Sequence, residues 1–587
     1  METLHRFPTF LILDLVSTEN ILPLHAGMIY ELTLIMKQKL IFFLYILVLI
    51  LPNIILCITE TMPLSGKLAQ LLIPLGFYWF TLSLSAYKSK TLWWMFPFIF
   101  LAAFNIVLSY LFGKGIIAVD MWLNLTTSSP SEMGEMLSQI YPSVVAVVLI
   151  YIPTLIYATY DIYKKNKLPQ NFLKKQRVIA LTILGFASPC SIIAIQTRNW
   201  SILNDLFPIN VSYNFYLAIE RQKLSENYLE NSKEFCFNAI DTSNDSIPKV
   251  LMLVIGETSR TANWQLNGYK RETNPLLSRT ENLIFFKDCM SQSNTTHKSI
   301  PIILSPATAD KFDVLYHSKG LLAAYNEAKY HTVFISNQPR NKSFNDYLGE
   351  QAQEVTFLRD SLSGTPMDSL LIPEIQHALT RTNKNMLIVV HTYGSHSTYS
   401  DRYQRHHAYF KPDQALKSTK ENRDILINAY DNSIRYTDKI LHNIITKLQT
   451  LDVPAAMLFV SDHGEDIYDD NRNLFLHASP WPSYYQMHVP FFIWTNEKYR
   501  NLYPERVSLL ESRKSEPIQT DCVFPTMLGL AGISTPLGQD SLSLTSDKYV
   551  TKKNRTYLND HNESLTFDRC LESFDFKVMQ LQGVRTH

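Results

Sequence analysis

The sequence predicts two bodies of different kinds, an N-terminal five-helix transmembrane domain and a soluble α/β sandwich. Three observations lead there. From Lys39 to Ile195 of the 587 residues, apolar runs recur at membrane-spanning length. Beyond Gln196, apolar runs of strand length alternate with helical stretches, the pattern of a mainly parallel sheet covered by helices. Several of those runs end in polar clusters, the foremost being Ser461-Asp462-His463-Gly464-Glu465 after the run 455–460.

The spans fall at roughly 40–58, 68–84, 92–112, 144–157 with its flanks, and 178–195. Pro153 lies inside the fourth, where neighbouring helices can satisfy the freed carbonyl. Lys37 and Lys39 precede the first span, Lys88 and Lys90 join the second to the third, and Lys164, Lys165, Lys167, Lys174, Lys175 and Arg177 join the fourth to the fifth. The other loops are poor in basic residues and carry Glu60, Asp120, Glu132 and Glu135. The positive-inside rule therefore makes the N-terminus cytoplasmic, and an odd number of spans delivers the soluble part to the opposite face.

Four segments follow: an extension at 1–36, the membrane domain at 37–197, an amphipathic linker at 198–245 and a catalytic domain at 246–587. The extension lacks the basic, apolar and small-residue order of a signal peptide. Met36-Lys37-Gln38-Lys39 reads as a better start, which makes 1–36 a mis-called stretch or a disordered or interfacial tail. The linker reads as helical, with a surface lying on the bilayer as the alternative. A net charge of +1 excludes the strongly basic surface of a nucleic-acid binder. Cys236, Cys289, Cys522 and Cys570 lie in the exported part, where an even number permits two disulfides in three pairings, and no C-x-x-C spacing suggests a thiolate metal site.

Strands are expected at 249–255, 283–286, 332–335, 386–391, 456–460 and 489–494, and a long helix at 422–451. Ligands of open α/β sheets bind beyond the carboxyl ends of strands. Glu257 follows the first strand, a hydroxyl-rich run from Ser293 to Ser299 precedes a helix start, His391-Thr392-Tyr393-Gly394-Ser395-His396 begins at the end of the fourth, and Asp462-His463 follow the fifth. Glu257, Asp462 and His463 are two carboxylates and an imidazole, a set that suits zinc, with manganese second, and leaves a position open for an oxygen nucleophile. A threonine or serine of the hydroxyl-rich run, activated by such a metal, becomes a competent nucleophile at neutral pH.

Gly256-Glu257-Thr258-Ser259-Arg260, Asn267-Gly268-Tyr269-Lys270-Arg271-Glu272-Thr273-Asn274-Pro275, Thr296-x-x-Ser299-x-Pro301, His391-x-x-Gly394-x-His396, Tyr430-Asp431-Asn432, Ser461-Asp462-His463-Gly464-Glu465 and His477 stand in one order. Together they resemble the bacterial phosphoethanolamine transferases that modify lipid A or the lipopolysaccharide core, within the alkaline phosphatase/sulfatase superfamily. The resemblance implies Glu257, Asp462 and His463 as zinc ligands and Thr296 as nucleophile and further ligand, with Thr295 the alternative. It implies that His396 and His477 contact the transferred phosphoryl group or a second metal, and that Lys342 contacts phosphate. It also implies a phosphatidylethanolamine donor, a lipid A or lipopolysaccharide core acceptor, a phospho-threonine intermediate, a monomer, and an inner-membrane location with a periplasmic catalytic domain.

Two departures stand out. Lipid A members of the family carry a cysteine pair around the nucleophile, where this chain has Gln292 and Ile302; loop rigidity must come from elsewhere. His297-Lys298 replace small residues, and Lys298 is a candidate phosphate contact. A glycerol phosphate transferase resembling lipoteichoic acid synthase is the rival enzyme, and a non-catalytic envelope receptor the rival of another class. A sulfatase is disfavoured, because Ile302-Ile303 follow Ser299-Ile300-Pro301 where the formylglycine motif needs another pattern.

Overall fold

The computed structural model describes residues 15–586 except 61, 113–116, 128–129, 197–199, 244–246, 363, 365, 382, 480 and 538; side chains at 15–30, 108–112, 124–127 and 130–140 are outside the description. Of the extension, 1–14 thus lie outside the described residues. The chain forms two compact units, one of 1–110, 114–116 and 141–213, the other of 111–113, 117–140 and 214–587.

The first unit is helical, built on α1 (Leu15–Thr59), α2 (Leu64–Ser83), α3 (Lys88–Trp94), α4 (Phe96–Phe112) and, beyond α5 (Val119–Thr127), on α6 (Pro130–Tyr163) and α7 (Gln170–Gln196). The extension from Leu15 onward is part of α1, continuous with the first span. Glu31–Thr59, Tyr141–Tyr163 and Gln170–Gln196 are long and apolar enough to cross a membrane. The third expected span is broken by a 62° bend between Lys88–Trp94 and Phe96–Val107, and this pair makes a fourth span if counted as one. Helix α2 lies where the second span is expected, but Ser65, Lys67 and Gln70 dilute its apolar character. Lys88, one of the basic residues that set the orientation, is buried and paired with Asp161 at 2.7 Å.

Helix α8 spans Ile209–Glu226. Asn214 donates to the carbonyl of Ile117 at 2.8 Å, and the rings of Phe215 and Trp122 meet edge-on, so α5 packs on α8.

The central sheet has seven strands: β1 (Val250–Gly256), β2 (Leu283–Phe286), β3 (His331–Ser336), β4 (Glu354–Phe357), β5 (Met386–His391), β6 (Ala455–Ser461) and β7 (Phe491–Thr495). Their order is β2-β7-β6-β1-β5-β3-β4, with β7 antiparallel to both neighbours and β6-β1-β5-β3-β4 parallel. Every residue of β1 and β6 is buried, which explains why both read as continuous apolar runs rather than alternating ones. Strand β4 alone escapes the sequence pattern, because Glu-Val-Thr-Phe is a short edge strand with one buried residue.

Successive strand residues face opposite layers. On one side Leu251, Leu253, Leu387, Val389 and Leu458 pack in one cluster with Ile300, Ile302 and Ile303 of α9 (Thr296–Leu304). On the other, Phe459 stacks on Trp264 and Phe492, near the long helix α10 (Arg423–Gln449). The helix that begins at Thr296 is thereby fixed to the sheet whose ends carry Glu257 and Asp462. Leu458 is fully buried in the middle of the sheet. Leu458→Ala should therefore lower unfolding stability by about 2–5 kcal/mol, read by chemical denaturation of the purified full-length chain.

Candidate metal centre and nucleophile

Parallel pairing of β1 with β6 sets Gly256 opposite Ser461, so Glu257 and Asp462 leave the sheet side by side. One ligand atom from each of Glu257, Asp462 and His463 lies within 4.8 Å of the others, and all three residues are buried. Asp462 Oδ1 accepts the backbone N–H groups of Thr258 (3.0 Å) and His463 (2.7 Å), whereas Oδ2 has no hydrogen-bond partner among the described residues. His463 Nδ1 lies 2.9 Å from the carbonyl of Gly464. A carbonyl only accepts, so Nδ1 carries the proton and the lone pair of Nε2 faces Asp462 Oδ2 (3.3 Å) and Glu257 Oε1 (3.6 Å).

The Thr296 hydroxyl closes the group. It lies 3.1 Å from His463 Nε2, donating to that lone pair, and 3.4 Å from Glu257 Oε2. Thr295 is buried instead, its hydroxyl 3.3 Å from that of Ser293. Thr296 is also the first residue of α9, whose amino end favours negative charge on or near that hydroxyl.

Burial, and then the charge of Asp462, pushes the Glu257 carboxyl well above the usual range. Burial holds His463 and His477 down to about 4, against the pull of Asp462, and His396 down to about 3. Burial beside Asp462 favours a protonated Glu257 when no cation is present, and a divalent cation would let both carboxyls carry their charge beside the neutral imidazole. The orphaned Asp462 Oδ2, the inward lone pair of His463 and the Glu257 carboxylate fit zinc in chemistry and number, with Thr296 as an oxygen donor.

The other expected residues fall as follows. His477 packs ring to ring on His463 at 4.2 Å, its loop held by a hydrogen bond from Ala478 N–H to the Asn294 carbonyl. His396 stacks on Tyr393 at 4.8 Å, and its loop is tied to the metal centre because Ser395 N–H donates to the Glu257 carbonyl at 2.9 Å. Lys342 is exposed; its backbone N–H is held by Asp346 at 2.6 Å, and its ammonium has no hydrogen-bond or ion-pair partner among the described residues. Lys298 is buried, and its ammonium pairs with Asp120 rather than facing the cluster.

Two groups escaped sequence reasoning. Gln338 Nε2 donates to Glu257 Oε2 (3.1 Å) and to the Thr392 carbonyl (2.8 Å), orienting the carboxylate from the end of β3. An amide in a loop has no signal of its own; only its place after a strand could have flagged it. Glu465, quoted as part of a motif but given no role, is fully buried with Oε1 3.9 Å from His477 Nδ1, and burial pushes its carboxyl up to about 8.

The distant motifs prove to be one support. Tyr430 of α10 donates to the Thr258 carbonyl and accepts from Arg260 N–H, while Asp431 accepts from Asn263, Tyr269 and Arg271. Gln292 is locked by polar contacts: its side chain donates to Asp521 (3.0 Å) and accepts from Ala309 N–H (2.8 Å), and its N–H donates to Thr520 (3.1 Å). Ile302 is fully buried. Each of the six cysteines is a free thiol.

The Sulfatase family pattern matches residues 249–533, the stretch that holds the groups just described from Glu257 to Asp521. Residues 249–533 are a Sulfatase-family domain. The chain is 28% identical over 352 residues to phosphoethanolamine transferase EptA of Escherichia coli strain K12, a match covering 58% of this chain and 63% of that enzyme, under two thirds of its length. The membrane protein lipooligosaccharide phosphoethanolamine transferase A of Neisseria meningitidis shares the fold at a TM-score of 0.65 and 21% identity, over 87% of this chain and 97% of that one. The periplasmic domain of EptC from Escherichia coli, in complex with zinc, shares it at 0.51 and 24%, over 58% and 97%.

Within the Sulfatase-family domain, Gly394 adopts a φ of +47°, and a Cβ there would stand 2.6 Å from the Glu257 carbonyl oxygen. Gly394→Ala must therefore displace the Glu257 backbone. Zinc affinity should fall about 10–100-fold, measured by equilibrium dialysis with elemental analysis, while the far-ultraviolet circular dichroism stays that of the parent.

Proposed function

We propose that the chain is a metal-dependent phosphoethanolamine transferase of the bacterial inner membrane, taking the group from phosphatidylethanolamine and giving it to lipid A or core lipopolysaccharide. The observation that carries this reading is the Thr296 hydroxyl, 3.1 Å from His463 Nε2 and turned toward Glu257 in a buried site with two carboxyl groups. The names of its relatives supply the donor group and acceptor class.

Zinc held by Glu257, Asp462, His463 and Thr296, when bound, supplies a Lewis acid that lowers the hydroxyl pKa and spreads phosphoryl charge. In the first step the Thr296 oxygen bonds to phosphorus in line and the bond to the diacylglycerol oxygen breaks. The proton leaving Thr296 passes through His396 or His477, both neutral, to the departing diacylglycerol oxygen. In the second step an acceptor oxygen attacks the phospho-threonine, its proton taken by the same imidazoles, and Thr296 regains its hydroxyl. His396 and His477 also contact the phosphoryl oxygens or hold a second metal, and Lys342 reaches the donor phosphate from its exposed loop. Five spans, with α2 and the bent α3–α4 pair completing the set, place the N-terminus in the cytoplasm and the Sulfatase-family domain in the periplasm. The protein acts as a monomer.

Incubated with headgroup-labelled phosphatidylethanolamine, the parent chain should carry one phosphoethanolamine on the peptide containing Thr296 by mass spectrometry. Thr296→Ala should abolish that adduct and reduce transfer at least about 10³-fold, while Thr295→Ala keeps both. An adduct of equal yield on Thr296→Ala would refute the assignment. Lipopolysaccharide from expressing cells should gain one phosphoethanolamine mass.

A further inference from the structure

Asp120 lies outside the metal centre, on α5, and its carboxylate is 4% exposed. It gathers three basic side chains. Lys298 Nζ is 2.8 Å from Oδ2, while His297 Nε2 and Arg221 Nη1 are 3.1 and 3.3 Å from Oδ1. Lys298 is buried in the first turn of α9, two residues beyond Thr296, and its only other acceptor among the described residues is the Asn559 carbonyl at 2.6 Å. A buried ammonium is tolerated only when paired, so removing its carboxylate must move the lysine, and with it the turn that carries it.

Asp120 itself is held in place by a second ring of contacts. Val119 N–H donates to Asp560 Oδ2 (3.4 Å), Arg221 donates to the Asp560 carbonyl, and Asp560 Oδ1 meets His561 Nδ1 (2.8 Å). His561 Nε2 lies 3.0 Å from Asn214 Oδ1, and Asn214 donates to the Ile117 carbonyl. The carboxylate thus sits on a braced segment formed by α5, α8 and the loop around Asp560, and that segment abuts the residues after the nucleophile.

We propose that Asp120 is a positioning residue for Thr296: paired with Lys298 and His297, it holds the first turn of α9 so that the Thr296 hydroxyl faces Glu257 and His463. This rests on the transferase reading for the role of Thr296, and it assigns a catalytic support to a stretch that the charge pattern places between two membrane spans. It also gives His297-Lys298, the departure from the small residues of the family, a function in holding α9.

The test uses the full-length chain in detergent with fluorescent phosphatidylethanolamine as donor. Asp120→Asn should lower kcat about 10–100-fold with KM within about twofold, because the hydroxyl is misplaced while donor binding is kept. Adding Lys298→Met removes the stranded charge and should restore kcat to within about threefold of the parent. Hydrogen exchange read by mass spectrometry gives a second, substrate-independent measure: amides at 296–304 should lose protection in Asp120→Asn and regain it in the double variant. Unchanged kcat and exchange in Asp120→Asn would overturn the proposal. So would no recovery on adding Lys298→Met, or a loss that merely follows a fall in global unfolding temperature with protection lost evenly across the chain. If the parent fails to turn over the lipid while the exchange pattern appears as stated, the positioning stands and the transferase reading is what fails.

Discussion

Glu257 and Asp462 leave adjacent parallel strands at the same level, and the repulsion between their buried carboxylates is the constraint the rest of the domain serves. Nothing in the hydrophobic core asks for two acids there. Taking even one carboxylate out of water costs several kcal/mol, so the pair persists only because backbone N–H groups, the Gln338 amide and the Thr258 hydroxyl share the charge and a cation can complete it. The imidazole beside them is neutral because burial disfavours its charged form, which leaves a lone pair where a proton would otherwise sit.

The same constraint explains why so much of the sequence far from these acids is polar and buried. Tyr430 on α10 braces the turn after Glu257, and Asp431 beside it draws together Asn263, Tyr269 and Arg271. The loop of His396 is fastened to the Glu257 backbone, and that of His477 to Asn294. Where the lipid A enzymes that the chain resembles carry a cysteine, Gln292 makes hydrogen bonds to two separate segments, at Ala309 and at Thr520-Asp521. A disulfide restrains chiefly the unfolded chain, whereas these contacts act only once the fold is formed. The nucleophile loop is accordingly held by the folded state itself.

Much of the fold was legible in advance because the signals were strong and local. Buried strands are largely apolar runs, and six of the seven in the central sheet could be placed from them; β4, only half-buried on most of its length at the edge, offered no such run. The long helix α10 showed its period. In the membrane part, apolar length located the helices but not their breaks: Met95 sits at a 62° bend that hydropathy averages over, and α2 is weaker than its position suggested. At the site, residue types after strand ends pointed to Glu257, Asp462 and His463. Gln338, Glu465 and the contacts of Asp120 and Lys298 stayed hidden, since an amide, an acid and a lysine in loops or first turns look the same whether they face solvent or each other.

By itself, then, the sequence determined an apolar helical part, an α/β domain and the chemical types gathered at its strand ends, because burial along a strand and polarity after it are properties of neighbours in the chain. The tertiary structure alone decided which of those groups meet. It turned Thr296 rather than Thr295 toward the acids, left one oxygen of Asp462 unsatisfied, and gave Lys298 to Asp120 rather than to the open cluster. Such choices depend on distances of 3 to 4 Å between segments more than a hundred residues apart, as Thr296 and His463 are. Only the register of the parallel sheet and the packing of α9 upon it set those distances.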